Sequence, residues 1–131
     1  MNTKLNQILA EISAGELLDK ITILEIKKEK INDSEKLKDI NKELSSLVKT
    51  SNEKIPDKKS IEDLVSNLKK INLKLWDIEE NKRRAEKEKK FDETFIQLSR
   101  DVYKSNDERA KIKLKINDIL GSNIKEVKSH Y

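Results

Sequence analysis

Apolar residues recur every three or four positions along most of this chain, which is the period of an amphipathic α-helix. The most regular run lies in the middle of the sequence and consists of Ile61, Leu64, Leu68, Ile71, Leu75 and Ile78. Spacing of this kind is typical of the apolar seam in coiled coils and helical bundles. It predicts a long helix that starts near Ser60.

Capping residues predict where the first helix begins. Ser13 and Glu16 match a capping box, in which each side chain can bond to the backbone amide of the other residue. We expect a helix from Ala14 to about Ile31. Its apolar residues fall on more than one side, so this helix should be the most buried one, and its charged residues then need partners.

Asn32 and Asp33 are expected to end the first helix and to cap a second one. The second helix should fray by Thr50 and carries a single apolar stripe, made of Leu37, Ile40, Leu44 and Leu47. The polar segment at about residues 50–60 contains the only proline, Pro56. This composition predicts a surface linker.

The last helix should begin at Phe91 and Asp92 and end before Gly121, which can adopt a left-handed conformation. Its stripe consists of Phe91, Phe95, Leu98, Val102, Ser105, Arg109, Ile112, Ile116 and Ile119. Ser105 and Arg109 therefore interrupt an otherwise apolar face. A guanidinium at such a position is tolerated only when carboxylates or other acceptors satisfy it.

These patterns predict an all-α fold with four main helices, arranged either as an antiparallel helical bundle or as paired long helical hairpins. The length of 131 residues fits a single domain, residues 1–131, that closes with a short C-terminal tail at residues 122–131. Two glycines, one proline, 34% hydrophobic and 41% charged residues agree with long helices and argue against sheet or barrel folds.

Composition also excludes several kinds of site. The chain has no cysteine, so it can form neither disulfides nor thiolate zinc sites. It contains no apolar run long enough to span a membrane and no signal-peptide core, which predicts a cytoplasmic protein without membrane contacts. The net charge of +4 equals the excess of basic residues in 81–90, but acidic residues are interspersed and aromatic residues are absent there. The sequence therefore disfavours nucleic-acid binding.

The interruption at Arg109 singles out a set of polar candidates. Its expected partners are acidic residues of the first and third helices, namely Glu16, Asp19, Glu25, Asp77 and Glu79. Trp76 and Tyr103 could stack on a ligand, although such aromatic residues more often belong to a core or a subunit contact. The polar layer could fix the register of the helices, or it could form a charged pocket between them.

The pocket interpretation includes a metal. Carboxylates three residues apart share one face of a helix, and such pairs can hold Mg²⁺ through water and present it to a phosphate. The alternative metal ligands are Glu16, Asp19, Asp77 and Glu79. The same residues can instead form ordinary ion pairs along a helix, such as Glu16 with Lys20.

Longer motifs resemble a known family. SAGELLDKITILEIKKEKI, LWDIEENKRR and FIQLSRDVYKSNDERAKIKLKINDILGS are similar to the GELxDKITILEIK, LWxIE and VYxxNDxRAxxKxxIN motifs of an uncharacterised family of small bacterial proteins. The family pattern closes in a KSY-like tail, where this chain has His130 between Ser129 and Tyr131. The resemblance implies one compact domain and a glycan-related context, but no activity. The motif positions include Glu16, Asp19, Lys20, Trp76, Asp77, Glu79, Asn106, Asp107 and Arg109.

The sequence thus leads to two functional hypotheses. The first is a non-enzymatic interaction module without a cofactor, which forms a homodimer or binds another protein through a seam specified by the polar layer around Arg109. The second is a Mg²⁺-dependent enzyme or binding domain for a phosphorylated or nucleotide-linked small molecule, with Arg109 on the phosphate.

Overall fold

The structure, a computed structural model, describes residues 4–128. Within that range the chain forms helices and no strands, so the all-α prediction is confirmed. The elements are α1 (Ala14–Lys30), α2 (Ser34–Lys54), a short 3-10 turn (Lys59–Ile61), α3 (Glu62–Glu88) and α4 (Glu93–Leu120). His130 lies outside the described residues.

Helix α1 is the centre of the arrangement, because it packs against α2, α3 and α4. Within residues 4–128, α2 packs only against α1, whereas α3 and α4 form a long hairpin with each other. The short connections make each pair antiparallel, so the fold consists of two helical hairpins joined through α1. This combines the bundle and the paired hairpins expected from the sequence.

The hydrophobic core lies where the first turns of α1 meet the other elements. Its buried members are Leu17, Leu18, Ile55, Ile61, Leu68 and Ile116. Ile61, Leu68 and Ile116 are completely inaccessible to solvent. Burying one such side chain stabilises the folded chain by roughly 1.5–3 kcal/mol, so these residues fix which faces of α3 and α4 point inward.

The predicted caps determine the ends of the helices. The Ser13 hydroxyl accepts from the backbone N–H of Glu16 at 3.1 Å, and the helix begins at Ala14 as expected. At the start of α4 the Asp92 carboxylate accepts from the backbone N–H of Phe95 at 3.2 Å. Gly121 ends α4 with a φ of 63°, a left-handed conformation that glycine adopts without strain.

The linker is shorter than predicted. Helix α2 continues past Thr50 to Lys54, because Ser51 and Ile55 are both buried and the N–H of Ile55 bonds to the carbonyl of Ser51 at 2.8 Å. Packing of Ile55 into the core therefore extends the helix into the first residues of the segment that the polar composition assigned to a loop. The non-helical connection spans only residues 55–58.

The α3–α4 hairpin is longer than α1 and continues beyond it. A helix of 27 residues such as α3 is about 40 Å long, compared with about 26 Å for the 17 residues of α1. No residue between Ile78 and Ser105 is buried. We call residues 79–104 the arm.

Both ends of the predicted α4 stripe are exposed. Phe91, which lies near the tip of the arm, is 55% exposed, and Ile119, at the opposite end of the helix, is 51% exposed. Phe91 still contacts Phe95 edge to face, with ring centroids 5.3 Å apart. Among the helices of the described structure, none combines the length and the apolar character that a membrane span requires.

Candidate functional site: a buried polar centre

Arg109 is partly buried and forms an ion pair with Asp19 of α1. The Nε of Arg109 donates to Oδ1 of Asp19 at 2.9 Å, and the second contact joins Nη2 to Oδ2. Asp19 has no exposed surface, whereas 28% of the Arg109 side chain remains accessible. The guanidinium fork therefore meets the carboxylate with two parallel bonds, the geometry in which arginine binds a carboxylate most specifically.

Polar groups from the other helices complete the surroundings of Asp19. The Asn72 amide of α3 donates to Oδ1 of Asp19 and to the Thr22 hydroxyl, both at 2.9 Å. The Thr22 hydroxyl donates in turn to the backbone carbonyl of Asp19 at 2.8 Å. We call Asp19, Thr22, Asn72, Asn106 and Arg109 the polar centre. It joins α1, α3 and α4 through side chains whose requirements are met internally.

The charge state of Arg109 follows from these contacts. Its hydrogen bonds to Asp19 raise the pKa of the guanidinium above its usual value, and the Asp19 charge adds to this effect against the opposing influence of burial. Nη1 of Arg109 makes a longer contact of 3.4 Å to the Asn106 side-chain oxygen. Arg109 thus remains charged at any pH at which the protein is folded.

A second polar cluster lies one turn away and involves the C-terminal tail. Nζ of Lys113 donates to Glu16 at 2.6 Å and lies 3.1 Å from a carboxylate oxygen of Glu126. The Ser13 hydroxyl donates to Glu126 at 3.3 Å. We call Ser13, Glu16, Lys113 and Glu126 the cap cluster. The Glu16 carboxylate bonds to Lys113 rather than completing the predicted capping box.

Burial and pairing act in opposite directions on the cap cluster. Burial disfavours the ionised form of Glu16, but the hydrogen bond and charge of Lys113 outweigh it, so the pKa of Glu16 lies below its usual value. For Lys113, burial also favours the neutral form, whereas hydrogen bonds to Glu16 and Glu126 raise the pKa above its usual value. Both groups are therefore ionised at neutral pH.

Gly15 lets α1 approach α4 closely enough for these contacts. Its N–H donates to the Asn117 side-chain oxygen at 2.7 Å. A Cβ at this position would lie 2.6 Å from the backbone carbonyl oxygen of Lys113 and 3.0 Å from Asn117. Since the first of these atoms belongs to the backbone, it cannot move aside easily. Gly15 is therefore required by the packing of α1 against α4.

An open cavity of about 290 Å³ lies beside the polar centre. Its lining is Ile23, Ile26, Asn72, Leu75, Trp76, Glu79, Val102, Asn106 and Arg109. The indole N–H of Trp76 is buried and has no hydrogen-bond partner among the described residues. Buried donors usually have one, so this group is an exception in an otherwise satisfied region.

Ser105 and Arg109, the two residues that interrupt the α4 stripe, have different environments. Ser105 is 1% exposed, and its hydroxyl has no hydrogen-bond partner within residues 4–128. It therefore acts as a small core residue rather than as a member of the polar centre. Of these two residues, only Arg109 makes side-chain polar contacts with α1.

Several predicted residues do come together. Asp19, Asn106 and Arg109 belong to the polar centre, and Glu16 lies in the adjoining cap cluster. Trp76 and Glu79 line the cavity with Arg109, although Glu79 is exposed and pairs with Arg83 at 2.9 Å. The prediction that charged residues of the first helix need partners is confirmed for Asp19 and Glu16.

Other predicted residues lie apart from the polar centre. Lys20 and Asp77 are exposed, and Glu25 is only partly buried. Tyr103 is 54% exposed on the outer side of α4. Asp107 pairs with Lys128 of the tail at 3.2 Å rather than with Arg109 or its neighbours.

The four alternative metal ligands are not gathered into one site. Within residues 4–128, no three histidine, aspartate or glutamate side chains lie close enough together to hold a metal ion. Asp19 is already occupied by Arg109 and Asn72, and Glu16 by Lys113. Binding of Mg²⁺ remains a prediction of the sequence.

Four members of the two clusters were not predicted from the sequence, namely Asn72, Thr22, Lys113 and Glu126. Asn72 had a visible signal, because it follows Ile71 and lies four residues after Leu68, so helical periodicity places it at the edge of the α3 stripe. Lys113 lies four residues after Arg109 and therefore shares its face. Glu126 had no such signal, since it reaches the cluster only through the path of the tail.

Comparison with known proteins adds a family but no activity. The profile of the family of unknown function DUF6165 matches residues 8–131, which include the polar centre and the cap cluster. A search among curated proteins finds no match, and a search among solved structures finds none either.

Proposed function

The chain belongs to DUF6165, a family of unknown function, and we propose that it is a non-enzymatic helical interaction module that associates with itself. In this proposal the polar centre is the structural lock that holds α1 on the α3–α4 hairpin. The surfaces that bind other molecules lie elsewhere. The cytoplasmic location expected from the sequence belongs to the same proposal.

The occupied state of the polar centre supports a structural role. Asp19 is fully buried, and both of its carboxylate oxygens accept hydrogen bonds from Arg109. A general acid or base must reach a substrate proton, and an anion-binding arginine needs free donors. Asp19 has no such access, and the fork of Arg109 is directed at Asp19.

The observation that carries the proposal is the exposure of large apolar side chains. We call residues 4–12, which precede α1, the N-terminal segment. Leu5, Ile8 and Leu9 in this segment are 86%, 80% and 87% exposed. A second exposed set lies on α4, where Ile96 is 49% and Tyr103 is 54% exposed. Grouped apolar exposure of this kind marks interaction surfaces on folded proteins.

Sedimentation equilibrium of the full chain over a wide concentration range tests self-association. We expect a mass that rises from one chain of 15.3 kDa towards twice that value as concentration increases. A monomer mass at every concentration would refute the proposal. A Glu62→Gln variant, which changes an exposed residue of α3 away from both apolar sets, provides the control.

The cavity beside the polar centre favours a second candidate function, the binding of a small molecule. Its volume of about 290 Å³ is at the lower end of the range for ligand pockets, and Trp76 contributes a donor without a partner. Because Trp76 is the only tryptophan, its fluorescence reports directly on this cavity. This candidate includes the phosphorylated and nucleotide-linked ligands, with or without Mg²⁺, that the sequence suggested.

A thermal melt with ATP, UDP-glucose and glucose 6-phosphate, each with and without Mg²⁺, tests this candidate. A ligand at a hundred times its dissociation constant should stabilise the folded chain by about 2.7 kcal/mol. The shift should disappear in Glu79→Ala, which alters the exposed edge of the cavity. The absence of both a melting shift and a change in Trp76 fluorescence would contradict small-molecule binding of this class.

A further inference from the structure

The outer face of α4 carries a second stripe whose large apolar side chains remain exposed among the described residues. Ile96, Tyr103 and Ala110 are spaced by seven residues, and Leu114 follows four residues later. We call the described residues outside the arm the body. Ser105, which is 1% exposed, faces the core of the body from the opposite side of the helix. Ile96, Tyr103 and Leu114 are 49%, 54% and 37% exposed. This is the heptad spacing of a helix that packs against another helix.

Two charged residues of opposite sign share this stripe. Arg100 and Asp107 lie seven residues apart and on either side of Tyr103. Arg100 is exposed and forms no ion pair within residues 4–128. Asp107 meets Lys128 through Oδ1, which leaves its second carboxylate oxygen without a contact in the same part of the chain. An acid and a base placed symmetrically about an aromatic residue make the surface complementary to itself.

We infer that two copies of this chain pair through the outer faces of their α4 helices, in antiparallel orientation. A two-fold axis that passes between Tyr103 and Lys104 brings Arg100 of each copy level with Asp107 of the other. The inference rests on the proposed self-association and names its surface. Parallel pairing would instead place Arg100 opposite Arg100 and Asp107 opposite Asp107.

The apolar residues fit the same antiparallel register. With the axis between Tyr103 and Lys104, Ile96 of one copy lies within one turn of Leu114 of the other, and the two Tyr103 rings lie next to each other. The paired stripe from Ile96 to Leu114 is about 27 Å long. A single arrangement thus covers the exposed apolar side chains and gives Arg100 an acidic partner in Asp107, whose other carboxylate oxygen contacts Lys128.

The N-terminal segment is the competing surface for self-association. Its exposed residues Leu5, Ile8, Leu9 and Ile12 follow helical spacing, but the segment is not helical in the structure. Lys4 and Glu11 bracket the first three of these residues at the same spacing of seven residues, but without a helix this spacing does not place the two charges on one face. The apolar residues and the charges of α4 already share one face of a formed helix, which favours α4, and charge reversal distinguishes the two surfaces.

Charge reversal tests the α4 pairing on the full chain. Arg100→Glu places two acidic side chains together at both symmetric contacts, and Asp107→Arg places two basic side chains there. Each variant should raise the dimer dissociation constant by roughly tenfold or more, because like charges meet twice in each dimer. The double variant Arg100→Glu, Asp107→Arg restores opposite charges and should return the dissociation constant close to that of the parent chain.

Matched controls make the same changes elsewhere. Lys87→Glu reverses an exposed base on α3, and Asp118→Arg breaks the pair with Lys125 beyond the proposed contact. Both should leave the dissociation constant unchanged. A thermal melt at a dilution where all variants are monomers verifies that each of them folds.

The outcomes separate the two proposals. Loss of the dimer in both single reversals with recovery in the double variant supports the α4 pairing. A dimer that survives the reversals but is lost in Leu5→Ser, Ile8→Ser, Leu9→Ser overturns the α4 pairing and leaves self-association intact. Loss in both reversals without recovery also overturns it. A parent chain that is always monomeric overturns both proposals.

Discussion

Two regions of this molecule use the same charged residue types in opposite settings. In the body, Asp19 has no exposed surface and meets Arg109 across a helix interface. In the arm, Arg83 donates to Glu79 one turn earlier on the same helix at 2.9 Å, but the two side chains are 79% and 55% exposed. The contact distances are similar, so the two pairs differ mainly in their exposure to solvent.

Exposure to solvent determines how much stability is lost when each pair is broken. A buried carboxylate whose partner is removed remains in a medium that cannot replace the lost interaction, which makes the body pair costly to break. When an exposed pair is broken, water solvates both charged groups, so little stability is lost. The polar centre therefore specifies how α1 sits on the α3–α4 hairpin, whereas the ion pairs of the arm keep a two-helix extension solvated.

Removing Arg109 should give the largest effect. Arg109→Met removes the two hydrogen bonds that Arg109 donates to the buried Asp19 carboxylate and leaves Lys113, at 3.8 Å, as the remaining cation. It should lower the free energy of unfolding by about 3–5 kcal/mol. Urea unfolding measured by circular dichroism checks this value. Asp19→Leu combined with Arg109→Met should recover most of the loss, because no uncompensated charge remains. Additive losses in the double variant would contradict the view that the charge, and not the packing, dominates.

Gly15→Ala should give the next largest effect. The new Cβ would meet the backbone oxygen of Lys113 at 2.6 Å, so α1 must move away from α4. We expect a loss of about 1–3 kcal/mol in the free energy of unfolding, typical of overpacking. Ala14→Gly, at the neighbouring position, is the control for helix propensity. An increase in stability for Gly15→Ala would show that the two helices are not in close contact there.

The fold could be predicted from the sequence because its determinants are local. The starts of α1 and α4 follow from Ser13 and Asp92, whose side chains accept from nearby backbone amides. The inward stripe of α3 follows from periodicity alone, and Ile61, Leu68 and Ile78 are buried as expected. Such signals lie within four residues of the feature that they determine.

The candidate site could be predicted only in part, because its contacts are distant in sequence. Arg109 was visible as a charge in an apolar stripe, and Asp19 was among its five expected partners. The choice between them depends on the rotation of α1 against α4, which periodicity does not fix. Asn72, Glu126 and the steric role of Gly15 depend on the same three-dimensional packing. The linker was misjudged for a related reason, since burial of Ile55 overrides its polar surroundings.

The cap cluster predicts how stability depends on pH. The pKa of Glu16 is lowered in the folded chain, so its contribution is present above the usual value of 4.5 and is lost as the pH falls through the lowered pKa. The pKa of Lys113 is raised, so its contribution is present below 10.5 and is lost as the pH rises through the raised pKa. Urea midpoints measured across both ranges should fall at each end.

Lys113→Met provides the matched variant for this pH dependence. It removes the partner of Glu16 and should flatten the decline at both ends. At low pH the pKa of Glu16 has lost its main lowering influence, and at high pH the titrating amine of Lys113 is absent. Lys125→Met, which removes an exposed partner of Asp118, is the control and should leave the profile of the parent chain unchanged. An identical profile for Lys113→Met would assign the pH dependence to other groups.

The smallest effect is expected in the arm and completes the comparison with the body. Arg83→Met removes the partner of Glu79 just as Arg109→Met removes the partner of Asp19, but it should lower the free energy of unfolding by only about 0.3–0.5 kcal/mol. Added salt should reduce this difference further, because exposed charges are screened. The same urea experiment checks it. A loss comparable to that of Arg109→Met would mean that the arm is covered in solution, and sedimentation of the variant would then show whether a second copy covers it.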